Sequence, residues 1–168
     1  MWDWPERRIS KMAFKNSWKL LPAALFLPLL LAQGSGYLAV GETPKVAGKR
    51  GAALQVKIPV TVMSGYHVNS NTPSEEYLIP LKLTWTSTGA LEGGAITYPK
   101  GALEKYEFSE KPISVYTGNF DLTANFKVAA TAPAGPGAAV GKLKYQACSN
   151  RACFPPKTVD VNVSYQVQ

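Results

Sequence analysis

From residue 159 to residue 167 every second side chain is apolar. Val159, Val161, Val163, Tyr165 and Val167 alternate with Asp160, Asn162, Ser164 and Gln166. A strand sends successive side chains to opposite faces, so this run reads as a strand with one buried face and one wet face. The same alternation runs through Leu54, Val56, Ile58, Val60 and Val62, and through Phe120, Leu122, Ala124, Phe126 and Val128. A helix would scatter each of these sets around its circumference, so the pattern excludes helices there. Pro59 removes a backbone donor inside the first of these runs, which predicts an edge strand or a bulge.

Shorter strands are read at 66–69, 95–98 and 113–116, and in the run carrying Ile79, Leu81, Leu83 and Trp85 on one face. Leu143 and Tyr145 face inward on a further strand, opposite Lys142, Lys144, Gln146 and Cys148. Between these runs lie a polar loop at 70–76, a turn at 89–94, a charged connection at 99–112, a tight turn at Gly118-Asn119 and a small-residue hairpin loop at 129–141. Thirteen prolines and fourteen glycines fit a turn-rich chain. About eight short strands without an amphipathic helix predict an all-β fold, an immunoglobulin-like antiparallel β-sandwich.

The N-terminus has a different character. Leu20 to Ala32 is an apolar run behind Arg7, Arg8, Lys11, Lys15 and Lys19, and small residues follow it at Gly34, Ser35 and Gly36. The run is shorter than the roughly 20 residues of a membrane span and is interrupted by Pro22 and Pro28. It reads as a signal peptide over residues 1–34, cleaved after Gly34, with Met12 as an alternative start. An uncleaved anchor is the competing reading. Residues 35–51 follow as a flexible lead-in, and 52–168 as the folded domain. Export implies an oxidising, extracytoplasmic compartment.

The net charge is +7, of which the first 36 residues carry +3. The remaining basic residues are scattered, without the stripe or basic helix that nucleic acid requires. No nucleic-acid partner and no small-molecule ligand are expected.

Tyr145-Gln-Ala-Cys148-Ser-Asn-Arg-Ala-Cys153-Phe-Pro-Pro156 holds both cysteines of the chain. A sandwich disulfide usually joins the two sheets from positions far apart in sequence. These cysteines are close neighbours, and period two starts Cys148 on the polar face. Closing so small a loop stabilises by about 2 kcal/mol on the chain-entropy estimate. Lys144, Arg151 and Lys157 lie nearby in sequence, and cations favour the thiolate that attacks disulfides. Pro155 and Pro156 stiffen the exit. Two readings stay open on these grounds: a redox-active dithiol, or a structural disulfide in a non-catalytic protein-binding module. A soft-metal site using both thiolates, with Met63, is a weaker third. His67, the one histidine, is assigned to packing or surface.

These residues resemble the N-terminal periplasmic domain of the thiol:disulfide interchange protein DsbD. The likeness rests on the 145–156 motif and the strand after it, on Tyr-Pro-Lys-Gly at 98–101, on the charged segment 103–112, and on Gly-Tyr-His-Val-Asn-Ser-Asn-Thr-Pro at 65–73. It covers about residues 52–168. The resemblance implies a thiol–disulfide oxidoreductase of the protein-disulfide reductase type, relaying reducing equivalents to or from exported thioredoxin-fold proteins, including cytochrome c maturation factors, in the periplasm. It implies that Cys153 forms the mixed disulfide, that Cys148 resolves it, and that no cofactor is needed. It also places a capping segment over the cysteines: Phe108 as the cap, Tyr106 lining the site, and Glu107 as a proton acceptor near the thiols. The whole family protein has a multi-helix membrane segment and a thioredoxin-like domain. This sequence carries neither, so a membrane-bound electron donor is expected as a separate partner. The chain departs from the family at His67 and Asn69, where other members carry aromatic side chains near the site.

Overall fold

The computed structural model describes residues 36–168. The signal peptide read at 1–34 and the alternative start at Met12 lie outside the described residues. Among the described residues there are twelve strands and no helix, and hence no helix long and apolar enough to cross a membrane. The strands are β1 (Leu38–Val40), β2 (Val46–Gly48), β3 (Ala53–Val62), β4 (His67–Asn69), β5 (Lys82–Ser87), β6 (Leu91–Thr97), β7 (Ala102–Glu104), β8 (Ile113–Tyr116), β9 (Asn119–Val128), β10 (Gly135–Tyr145), β11 (Ala147–Cys148) and β12 (Lys157–Val167).

They form three four-stranded sheets, ordered β1-β3-β9-β6, β2-β12-β10-β5 and β11-β4-β8-β7. All pairings are antiparallel except β2 with β12. The first two sheets make the sandwich. The predicted inward sets of β3, β9 and β12 are the buried ones: Val56, Ile58, Leu122, Ala124, Val161 and Val163 are fully enclosed in one core, together with Leu143 and Tyr145 of β10. Burying such side chains contributes about 1.5–3 kcal/mol each, which fixes the register because a one-residue slip would turn the whole set outward.

The third sheet grows out of one end of the sandwich. Thr61 pairs with Asn119 and Tyr145 with Lys157, so the end of β3, the start of β9, the end of β10 and the start of β12 share that end. The chain runs from there directly into β4, from β8, and into β11.

Five sequence readings are corrected. The lead-in at 35–51 contains β1 and β2, which add to the sandwich sheets. Pro59 lies in a central strand, between β1 and β9. Its missing donor faces the β1 side, where the ladder has just ended: Val40 pairs with Val60, and Gly41 N–H donates to the Pro59 carbonyl at 2.8 Å. The expected turn at 89–94 is mostly strand, because Gly93-Gly94 forms a bulge. At Gly94, with φ +95°, an added Cβ would fall 2.7 Å from the Trp85 ring, and the Trp85 indole N–H donates to the Gly94 carbonyl at 2.8 Å. Most of the small-residue loop at 129–141 is β10, which begins at Gly135. A Cβ on Gly137 would meet the Tyr165 ring at 2.4 Å, so the small residues there make room for that ring. The charged connection at 99–112 also contains β7.

Candidate active site

Cys148 and Cys153 are bonded, with S–S 2.02 Å and Cα atoms 3.9 Å apart. They sit directly opposite each other in a tight antiparallel hairpin. Ser149 N–H donates to the Ala152 carbonyl at 2.9 Å, and Phe154 N–H to the Ala147 carbonyl at 2.8 Å. These bonds flank the cysteine pair, so it occupies a non-hydrogen-bonded site, the kind in which opposed side chains approach closest. The reversal is held by the Ser149 hydroxyl, which accepts from the N–H groups of Arg151 and Ala152. Proximity of the sulfurs is therefore dictated by backbone pairing.

The hairpin is anchored at its base. The Gln146 side-chain carbonyl accepts from Asn69 Nδ2 at 3.0 Å and from Ile79 N–H at 3.1 Å, while its amide donates to the Phe154 carbonyl at 3.3 Å. Asn69 Nδ2 also donates to the Ile79 carbonyl. On the far side Phe154 stacks on Tyr37, centroids 4.8 Å apart, and Tyr66 closes the trio 4.7 Å from Tyr37. The Lys157 ammonium lies 4.8 Å from the Tyr37 ring centre.

The placement of Cys148 corrects the sequence reading. It shares parity with Lys142 and Lys144, which are exposed, yet it is fully buried. The chain changes sheets at Gln146, between β10 and β11, so parity with β10 no longer means solvent. In the third sheet Val68, Ala147 and Tyr116 turn to the main core. The opposite face carries His67, Cys148 and Val115, because Cys148 pairs with His67 and Val115 with Asn69. A small second core of Leu78, Ile113 and Val115 forms on that face, and Tyr106, Phe108 and Cys153 pack against it. Cys148 is thus sealed away from the inter-sheet core, while Cys153 remains partly exposed.

The segment after β7 covers this face. Tyr106 stacks on His67 with centroids 3.8 Å apart, and Phe108 lies nearly parallel to both rings, 5.7 Å from Tyr106 and 6.1 Å from His67. The segment is tied to itself: Lys105 Nζ donates to the carbonyls of Ser109 and Glu110, and the Ser109 hydroxyl to the Lys111 carbonyl. Tyr106 hydroxyl donates to the Glu104 carboxylate. Burial, then the Glu104 bond, pushes the Tyr106 phenol far above its ordinary range. Glu107 points to solvent. The carboxylate oriented on the aromatic stack is Glu104, which the sequence did not single out; His67 was read there as packing or surface and as a departure from the family near the site. His67 is buried, and burial lowers its pKa to about 4 against a smaller upward pull from Glu104. Its cross-strand position opposite Cys148 had no sequence signal, because it depends on which strands neighbour each other.

Of the expected cations, Arg151 stands exposed in the hairpin turn, Lys144 is exposed on β10, and Lys157 is engaged at Tyr37. Among the described residues no group of three or more His, Cys, Asp or Glu side chains is placed to hold a metal ion.

The model of the family described as thiol:disulfide interchange protein DsbD, N-terminal, matches residues 36–164. No curated protein sequence matches the chain. Among solved structures, the N-terminal periplasmic domain of ScsB from Proteus mirabilis is similar at TM-score 0.51 and 12% identity, covering 75% of this chain and 44% of that one. This chain therefore spans less than half the length of that structure. The Neisseria meningitidis DsbD N-terminal domain in the reduced form is similar at TM-score 0.43 and 20% identity, covering 70% of this chain and 82% of that one.

Proposed function

The chain belongs to the family of the N-terminal domain of the thiol:disulfide interchange protein DsbD, and on that premise we propose that it relays reducing equivalents between thioredoxin-fold proteins outside the cytoplasm through Cys148 and Cys153. The observation that carries the reading is the asymmetry of the bond: Cys153 is partly exposed, and Cys148 is fully buried.

In the reduced protein the Cys153 thiolate attacks a sulfur of the partner's disulfide. A Cys153–partner bond forms, and the partner's second sulfur leaves with the electron pair. The Cys148 thiolate then attacks Cys153, which re-forms the internal disulfide and releases the partner as a dithiol. Two electrons pass outward, and a membrane-bound donor restores the thiols by the reverse exchange. Every covalent bond made or broken between heavy atoms in this exchange joins two sulfurs. The cross-strand hairpin supports the resolving step, since Cys148 is held at bonding distance before the attack begins. Tyr106 and Phe108 pack with Cys153 against the same small core, which supports reading their segment as a cap that a partner displaces to reach Cys153.

Trapping tests the proposal. Cys148→Ser should accumulate a mixed disulfide between Cys153 and an exported thioredoxin-fold protein, and Cys153→Ser should not. A reduction potential below about −300 mV, with no trapped partner, would place the bond among inert structural disulfides and overturn the proposal.

A further inference from the structure

We propose that His67 accepts the proton of the Cys148 thiol when Cys148 resolves the mixed disulfide, a role that rests on the relay reading above. Three observations converge on it. The register pairs His67 with Cys148 across β4 and β11, so the two side chains project from the same face as direct cross-strand neighbours. In such a pair the Cβ atoms are about 4.5–5.5 Å apart, within reach of an imidazole and a thiol. The imidazole is 2% exposed, and its Nε2 is buried without a hydrogen-bond partner. A buried polar atom left unmatched costs about 1–3 kcal/mol, and a nitrogen kept in that condition beside a disulfide gains its partner once the bond opens to a thiol.

The surroundings suit a proton held only briefly. The titratable groups facing His67 are Cys148, Cys153 across the hairpin, Glu104 from β7 and Tyr106 stacked on the ring. Tyr116 of β8 pairs with Val68 and so faces the other way. No cation is among these groups. In the disulfide state burial keeps the imidazole neutral and able to accept. A thiolate at Cys148 adds a second negative charge to that of Glu104, and the two together favour the imidazolium. A cavity of about 500 Å³, lined by His67, Glu104, Tyr106 and Asn150 among others, adjoins the ring.

The step balances. The Cys148 S–H bond breaks, its proton passing to the imidazole and its electron pair forming the bond to Cys153. The Cys153–partner bond breaks, and the partner's sulfur leaves with the electron pair of that broken bond. The domain's dithiol is oxidised by two electrons and the partner's disulfide is reduced. The proton then leaves His67 for the departing thiolate or for solvent.

His67 is the one histidine in the sequence, so imidazole NMR of the full chain reads a single residue. The midpoint of His67 should rise by about one pH unit or more, a tenfold change, between the disulfide and dithiol forms. In a Cys153→Ser background, His67→Phe keeps an aromatic ring under Tyr106. It should raise the midpoint for Cys148 thiolate absorbance by a similar amount. The same His67 midpoint in both redox forms would overturn the proposal and leave His67 as packing, whether or not His67→Phe folds. Failure of the wild type to exchange with thioredoxin-fold proteins, with the midpoint shift intact, would sink the relay and leave the thiol–imidazole coupling standing.

Discussion

Phe154, the residue after Cys153, stacks on Tyr37 with ring centroids 4.8 Å apart and planes 17° from parallel. The contact joins the exit of the cysteine hairpin to a residue more than a hundred positions earlier in the chain. Tyr66, just before His67, completes the trio. The hairpin is therefore clamped from two sides, by these rings and by the Gln146 hydrogen bonds. Aromatic pairs contribute about 0.5–1.5 kcal/mol each beyond their buried area. Tyr37→Ala should lower stability by about 2–3 kcal/mol, read as a lower urea midpoint at unchanged slope. An unmoved midpoint would show that the clamp does not brace the fold.

The proposed cap would make Tyr106 and Phe108 a barrier to reagents as well as to partners. Phe108→Ala removes one ring of the segment and leaves the Tyr106 stack on His67 in place. Reduction by a small dithiol should speed up about tenfold, corresponding to about 1.4 kcal/mol of covering contact removed. Equal rates in wild type and variant would mean that the segment does not control access to Cys153.

The oxidised protein should lose stability as pH falls through the range where free histidine protonates. The folded-state pKa of His67 is depressed to about 4, below an unfolded value of 6.5. Between those values the unfolded chain binds a proton that the folded one does not, so stability rises with pH there. The contribution is fully present above about pH 6.5 and is lost progressively towards pH 4, amounting to about 2–4 kcal/mol. Urea midpoints measured across this range should fall more steeply for wild type than for His67→Phe, which removes the histidine while the carboxylates titrate in both. Parallel curves would exclude His67 as the source.

Strand content was legible wherever one face of a strand is buried and the other wet. β3, β9 and β12 announce themselves by alternation because each has a core on one side only. The first parts of β6 and β10 were hidden because their glycines make room for the Trp85 and Tyr165 rings of other strands. The cysteine motif was legible as a pair able to bond, and the family likeness pointed to the segment whose Tyr106 and Phe108 pack with Cys153 on the second core. The environment of Cys148 was not legible. Parity along a strand predicts exposure only while the strand stays in one sheet, and this chain changes sheets at Gln146. His67 and Glu104 were obscured for a related reason: each acts through a neighbour on another strand, and strand order is not written in local periodicity.

The two cysteines differ in burial, and substitution should separate them. Removing either one opens the bond and forfeits the restraint on the unfolded chain, about 2 kcal/mol for a loop this short. Cys153→Ala then removes a partly exposed sulfur, and the surroundings close over little. Cys148→Ala removes a sulfur with no exposed surface, held between His67 on one strand and Cys153 on the other. Its neighbours are fixed by strand pairing and cannot collapse inward, so a cavity remains and adds about 1 kcal/mol. Cys148→Ala should therefore be the less stable variant by about that amount in urea denaturation under reducing conditions, where the wild type serves as the open-bond reference. Equal losses would mean that the face around Cys148 can relax, and that the second core is looser than its burial implies.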